Sequence, residues 1–363
     1  MAAAFSISHR EKLAYGGLRI LIVKLSSIGD IVHALPAAAV IKENLPDATL
    51  GWAVEGRFAE IIEGNPNVDM LVRLDTRSLR GGKVIDEIFL DIARQSKDLR
   101  RGEWEMAIDL QGLLKSAAIA RISGAKKRWG FSKSGLREPA ARVLYTDTAK
   151  LPERQNIIEK NLGLVRAALG IDATEAPLDY GITPSEGDIR EAKAAVERFG
   201  GRFVLLNPAG GWVTKLWHAE KYGQLADRIA DELGLVPVIS AGPGDAELVE
   251  RAVAASVSGK LKTIELSLKA FYETARHAEA YVGGDTGPTH IAAAAGTPMV
   301  GIFGPTEWWR NGTLNPDDIC VERTDIGCRI DCHRRTCGNW ICMDISVDTV
   351  FTELRRRLAT RSG

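Results

Sequence analysis

Short, nearly continuous aliphatic runs alternate along this chain with stretches whose apolar residues return at helical spacing. The first run, Leu18–Leu25, reads as a strand, and after the turn SSIGD the segment Ile31–Asn44 reads as a helix, with Pro36 marking its first turn or a kink. Thr49–Val54, Met70–Leu74 and Met106–Leu110 continue the strand series, with helices expected at Val84–Arg100 and Leu113–Ser123. A second series places strands at Phe203–Leu206, Val236–Ser240, Ala280–Val282 and Met299–Phe303. Helical patterns at Ala219–Leu233, Ala246–Ser256 and a short segment ending at Ala295 separate them, and an amphipathic pattern, Val347–Thr360, follows. Strands that take turns with helices predict parallel α/β layers.

Between the two series, IDATEAPLDYGITP is polar, carries Pro and Gly, and loses all periodicity. The expected organisation is a Rossmann-like domain over residues 1–172, a linker over 173–184, a second Rossmann-like domain over 185–345, and a C-terminal helix within 346–363 that packs back on the first domain. A chain of 363 residues is long enough for two separate cores. Composition is that of a globular protein, 45% hydrophobic and 26% charged. The start shows no sustained apolar stretch of the signal-peptide kind, and no run of about 18 uncharged apolar residues occurs, so the expectation is a cytoplasmic protein without a transmembrane segment. The formal net charge is zero, which argues against nucleic acid as a partner. Arg73 to Arg142 nevertheless holds 16 Lys/Arg against 9 Asp/Glu; on charge alone, a solvated helical surface accounts for it.

Four loops stand at the carboxyl ends of expected strands, where open α/β sheets bind ligands. In Ser26-Ser27-Ile28-Gly29-Asp30, Gly29 permits a tight turn, and capping a helix would by itself explain Asp30. GxGxxG is absent here, so this is not a dinucleotide fingerprint. Gly283-Gly284-Asp285-Thr286-Gly287-Pro288-Thr289-His290 is richer: a helix N-terminus behind glycines, with a Thr hydroxyl and a His, predicts an anion site. Asn207-Pro208-Ala209-Gly210-Gly211 is followed by Lys215, a cation suited to the charge of a departing diphosphate. In the fourth loop, Glu247 is suited to accepting ribose hydroxyls or to capping its helix. All five cysteines fall between Cys320 and Cys342. The spacing of Cys328, Cys332, Cys337 and Cys342 is not a paired CxxC pattern, and it leaves a structural Zn or Fe clip and free thiols equally open.

Taken together, LIVKLSSIGDIVHALP, IDLQGLLKSA, RWGF, LREP, LSLKAFYETARHAEAYVGGDTGPTHIAAAAGTP and FGPT resemble the bacterial lipopolysaccharide heptosyltransferases of glycosyltransferase family nine, heptosyltransferase I more than heptosyltransferase II. The resemblance spans both halves of the chain. It implies a GT-B fold, with two Rossmann-like domains whose parallel sheets face each other across a cleft. It implies an inverting transfer from ADP-heptose to the Kdo of lipid A, with no cofactor or metal required, at the cytoplasmic face of the inner membrane. On this reading Asp30 is the general base, and Lys215, with Asn207, Pro208, Glu247, Asp285, Thr286, Gly287 and His290, binds the donor. Ser27, Gly29, Gln111, Lys115, Arg128 and Arg137 fall on the acceptor side, where the basic stretch would meet an anionic glycolipid. The N-terminal extension and the cysteines depart from the heptosyltransferase I pattern, and cysteine-bearing tails occur in relatives that modify proteins. A family-nine relative with a protein or another core sugar as acceptor is therefore the alternative. A nucleotide-binding protein without turnover is the alternative from another class.

Overall fold

The computed structural model describes residues 17–75, 95–172, 177–329 and 332–360. The chain forms two compact units, Met1–Thr183 and Pro184–Gly363. Each is built on its own six-stranded parallel sheet.

In the first unit the strands are β1 (Arg19–Val23), β2 (Thr49–Glu55), β3 (Met70–Leu74), β4 (Met106–Asp109), β5 (Lys127–Phe131) and β6 (Asp147–Ala149), in the order β3-β2-β1-β4-β5-β6. Central β1 is flanked on both sides: Ile20 pairs with Leu50 and with Met106. Residues Ile20–Val23 are fully buried, which is why this strand reads as an unbroken aliphatic run. The core gathers Leu21, Val23, Leu25, Ala53, Trp104 and Ala107, among others.

The helix expected over Ile31–Asn44 is two helices, α1 (Ile28–Val32) and α2 (Leu35–Asn44). Pro36 lies in the first turn of α2, where its missing N–H costs no hydrogen bond, and the chain breaks between them at His33–Ala34. Two more helices follow in this unit, α3 (Leu114–Ile122) and α4 (Ile157–Leu169). Of the helix expected at Val84–Arg100, residues 84–94 lie outside the described residues, and 95–100 are helical.

The second unit opens with α5 (Glu186–Phe199) and β7 (Phe203–Asn207), then runs α6 (Ala219–Glu232), β8 (Val236–Ala241), α7 (Ala246–Ala255), β9 (Lys262–Glu265), α8 (Leu268–Ala275) and β10 (Ala280–Gly284). It continues through α9 (Gly287–Ala294), β11 (Met299–Phe303), α10 (Trp308–Asn311), β12 (Ile319–Glu322) and α11 (Val347–Thr360). The strand order is β12-β11-β10-β7-β8-β9, so the second sheet repeats the winding of the first. Both have the 3-2-1-4-5-6 order of a doubly wound sheet. Within the second unit α11 packs on the core: Val350, Phe351 and Leu354 belong to it, against α6 and β11. Its apolar stripe completes the layer beside β11 and β12.

Candidate active site

In a doubly wound sheet the winding reverses between the first and fourth strands, and the loops leaving those strands diverge to form a crevice. In the first unit these are the loops after β1 and β4. The first carries Ser27, Gly29 and Asp30; the second carries Gln111. Ser27 is the N-cap of α1 and Asp30 its third residue, which corrects the reading of Asp30 itself as the cap. The Ser27 N–H (3.1 Å) and Oγ–H (2.9 Å) both donate to Asp30 Oδ2. Among the described residues Oδ1 carries no hydrogen bond. Burial pushes the Asp30 carboxyl up, but the Lys24 ammonium, the Ser27 donors and His33 outweigh it and hold the group below the usual carboxylate range. Asp30 is thus ionised at neutral pH with one oxygen in hand and one open. Gly29 is buried in the first turn of α1.

The other acceptor-side candidates divide. Lys115 Nζ lies 2.8 Å from Glu55 Oε1, at the carboxyl end of β2. Gln111 accepts through Oε1 from the N–H groups of Leu25 (3.1 Å) and Ser26 (3.3 Å), so its amide oxygen faces the β1 turn. Arg128 is a framework residue: its guanidinium donates to the carbonyls of Leu144, Ala125 and Lys126, tying down the β5–β6 edge. Arg137 is exposed.

In the second unit the corresponding loops follow β7 and β10, and there the side chains converge. Asp285, 7% exposed, accepts from Lys215 Nζ (2.6 Å) and Asn311 Nδ2 (3.2 Å) at Oδ2, and from His290 Nε2 (3.1 Å) at Oδ1. Burial alone would raise its pKa, but the His290 hydrogen bond and the Lys215 charge hold the carboxyl far below its usual range. Lys215 also stands 4.4 Å over the Trp212 ring. Thr286 caps α9, and Gly287 and Pro288 open the helix, so its free N–H groups start beside this cluster. Asn207 is buried and donates to Ser240 Oγ (2.9 Å); Pro208 is buried next to it. Glu247 is exposed on the first turn of α7 and does not join the cluster.

Residues 92–340 match glycosyltransferase family 9 (heptosyltransferase). The chain belongs to glycosyltransferase family 9. It is 29% identical to lipopolysaccharide heptosyltransferase 1 of Pseudomonas aeruginosa over 328 residues, covering 88% of this chain and 87% of that one. It is 26% identical to the Escherichia coli K12 protein of the same name over 290 residues, 80% and 89% of the two chains. The structure of E. coli heptosyltransferase WaaC with ADP has the same fold, with a TM-score of 0.75 at 23% identity, over 94% of this chain and all of the other. The family-9 chain is a glycosyltransferase with a GT-B fold.

Three residues of these family-9 loops escaped the sequence reading. Asp109, Lys24 and Asn311 each act on a candidate: Asp109 through the Gln111 turn, Lys24 on Asp30, and Asn311 on Asp285. An ionisable residue inside an aliphatic strand was the available signal for the first two. Asn311 has none, because only the fold brings α10 to β10.

Cys328, Cys332, Cys337 and Cys342 line one cavity with Thr214, Pro305 and Trp340. No disulfide joins the five cysteines, and among the described residues no group of three or more His, Cys, Asp or Glu is disposed to hold a metal ion. The Zn or Fe clip left open by the spacing gains no support from this geometry. Among the described residues no helix is long and apolar enough to cross a membrane.

Proposed function

We propose that this enzyme transfers heptose from ADP-L-glycero-β-D-manno-heptose to the Kdo of lipid A, with inversion and without a metal, in building the lipopolysaccharide inner core at the cytoplasmic face of the inner membrane. The observation that carries the donor assignment is the Lys215–Asp285–His290 cluster at the N-terminus of α9. A cation and a set of free backbone N–H groups suit a diphosphate that gains charge as the glycosidic bond breaks. Support for the sugar and the pathway comes from the relatives, which are named lipopolysaccharide heptosyltransferases, and from the ADP held by a neighbour of the same fold.

An acceptor hydroxyl is a poor nucleophile and sheds its proton as the new bond forms. Asp30 takes that proton on Oδ1 while Ser27 keeps Oδ2 fixed. Attack opposite the departing ADP inverts the anomeric centre. Lys215 neutralises the leaving diphosphate, and Asp285 keeps the lysine side chain in one position.

Incubation of the purified protein with ADP-heptose and Kdo–lipid A is expected to yield a heptosylated lipid by mass spectrometry. Transfer to a protein acceptor alone would overturn the lipid assignment. Asp30→Ala is expected to lower the transfer rate by about a hundredfold or more while ADP binding, followed by calorimetry, stays unchanged.

A further inference from the structure

Past the last ladder bond between β1 and β4, from the Leu110 N–H to the Val23 carbonyl (3.1 Å), the two strands no longer pair through backbone. The β1 turn is nonetheless fastened to the β4 turn by side chains running both ways. Lys24 Nζ donates 2.8 Å to the Leu110 carbonyl, and Gln111 Oε1 accepts from the Leu25 and Ser26 N–H groups. These two N–H groups immediately precede Ser27, the N-cap whose two donors fix Asp30.

Gln111 is itself held from beneath. Asp109 is completely buried at the end of β4. Its Oδ1 accepts from the N–H groups of Gln111 (2.8 Å) and Gly112 (3.1 Å), and its Oδ2 from Ser116 Oγ (2.7 Å) and the Tyr145 hydroxyl (2.7 Å). Four donors on one carboxylate fix the turn in a single conformation. Gly112 completes it: at φ +72°, with Leu136 and Phe131 carbons 3.2 and 3.3 Å from where a Cβ would stand, only glycine fits. Two of the Asp109 contacts hold the turn that grips the Asp30 loop, and the other two tie that carboxylate to α3 and to Tyr145 ahead of β6.

We propose that Gln111, held by Asp109, is a positioning residue that fixes the β1 turn so that Asp30 Oδ1 meets the acceptor hydroxyl. The proposal rests on the assignment of Asp30 as the base. It gives Gln111 a role distinct from contact with the acceptor, since its amide oxygen is engaged by Leu25 and Ser26.

Gln111→Leu keeps the bulk and removes the acceptor oxygen. It is expected to lower kcat by about tenfold to a hundredfold, as displacement of a reacting group by about 1 Å does. KM for ADP-heptose is expected to stay unchanged. Gln111→Glu, which restores an acceptor oxygen, is expected to recover most of the rate. The deciding measurement places Gln111→Leu on an Asp30→Ala background. A residue that acts through Asp30 leaves the residual rate of that variant unchanged, whereas a merely structural residue lowers it further. A wild-type kcat in Gln111→Leu, a change confined to KM, or a full additional loss in the double variant would each overturn the positioning role. If Asp30→Ala alone transfers at the wild-type rate, the base assignment falls and this proposal with it. If Asp30→Ala loses the rate and Gln111→Leu keeps the wild-type kcat, only the positioning role falls.

Discussion

On Asp30 the two carboxylate oxygens do different things: Oδ2 holds both Ser27 donors, and Oδ1 is left for a proton. Because Lys24, Ser27 and His33 keep this acid below the usual carboxylate range, the proposed base stays ionised well into mild acid. The transfer rate is therefore expected to hold level as pH falls from 7 to about 5, with its acid limb below the ordinary Asp value of about 3.9. Ser27→Ala removes the Oγ donor and should move that limb upward in a pH–kcat/KM profile. Asp285 is likewise held far below its usual range, but all its hydrogen bonds are satisfied by the protein, which suits a carboxylate that positions others. Its native pKa lies below the unfolded value, so its ionised form stabilises the fold above about pH 4, and that contribution fades as pH falls toward the depressed native pKa. Asp285→Ala leaves Lys215, 13% exposed, without its carboxylate. Breaking a buried pair in this way is expected to cost about 3 kcal/mol by urea denaturation, and to weaken ADP binding as well. Glycine-bearing turns after strands singled out Lys215, Asp285 and His290 as candidates, whereas Asp30 read from its turn as a cap and was raised to a candidate base by the family resemblance. It credited Gln111, Arg128 and Glu247 with direct ligand contact, yet Gln111 faces a neighbouring turn, Arg128 ties a sheet edge and Glu247 stands apart on α7. Those placements depend on side-chain partners distant in sequence, which pattern does not disclose.

Among the elements, the aliphatic strands were legible and the short, charge-bearing ones were not. β1, β7, β10 and β11 are aliphatic because helices cover both faces, and their positions were read to within two residues. β5, β6, β9 and β12 escaped notice: they are three to five residues long and carry charges such as Lys127, Asp147, Lys262 and Glu322. At the margins β6, β9 and β12 such polarity protects the sheet from pairing with other chains, and in all four strands it hides them from a search for apolar runs. Helix contacts carry their own constraint. Gly223 on α6 lets the helix lie directly against α7: a Cβ there would strike the Ala252 carbonyl and stand 2.9 Å from the Ser256 nitrogen. Backbone cannot rotate aside as a side chain does. Gly223→Ala is therefore expected to destabilise the second unit by about 1–3 kcal/mol, read as a lower urea midpoint.

For the molecule as a whole, two sheets of one winding and two separate cores follow from the alternating pattern that the sequence displays. The change of texture near residue 180 marked the passage between them, and the units part between Thr183 and Pro184. The packing of α11 on the second core was not legible, because an amphipathic helix reveals that one face is buried but not against what. Its true place makes a prediction. Truncation after Ser346 strips Val350, Phe351 and Leu354 from the second core. ADP binding is expected to be lost, while the first unit keeps its secondary structure by circular dichroism.

Because the chain passes from one unit to the other once, at Thr183–Pro184, each sheet is a continuous stretch of sequence. A gene fusion at that joint therefore exchanges one whole half without cutting a strand ladder in the other. Recombination between relatives at this position offers a route by which one unit is replaced while the other is inherited intact.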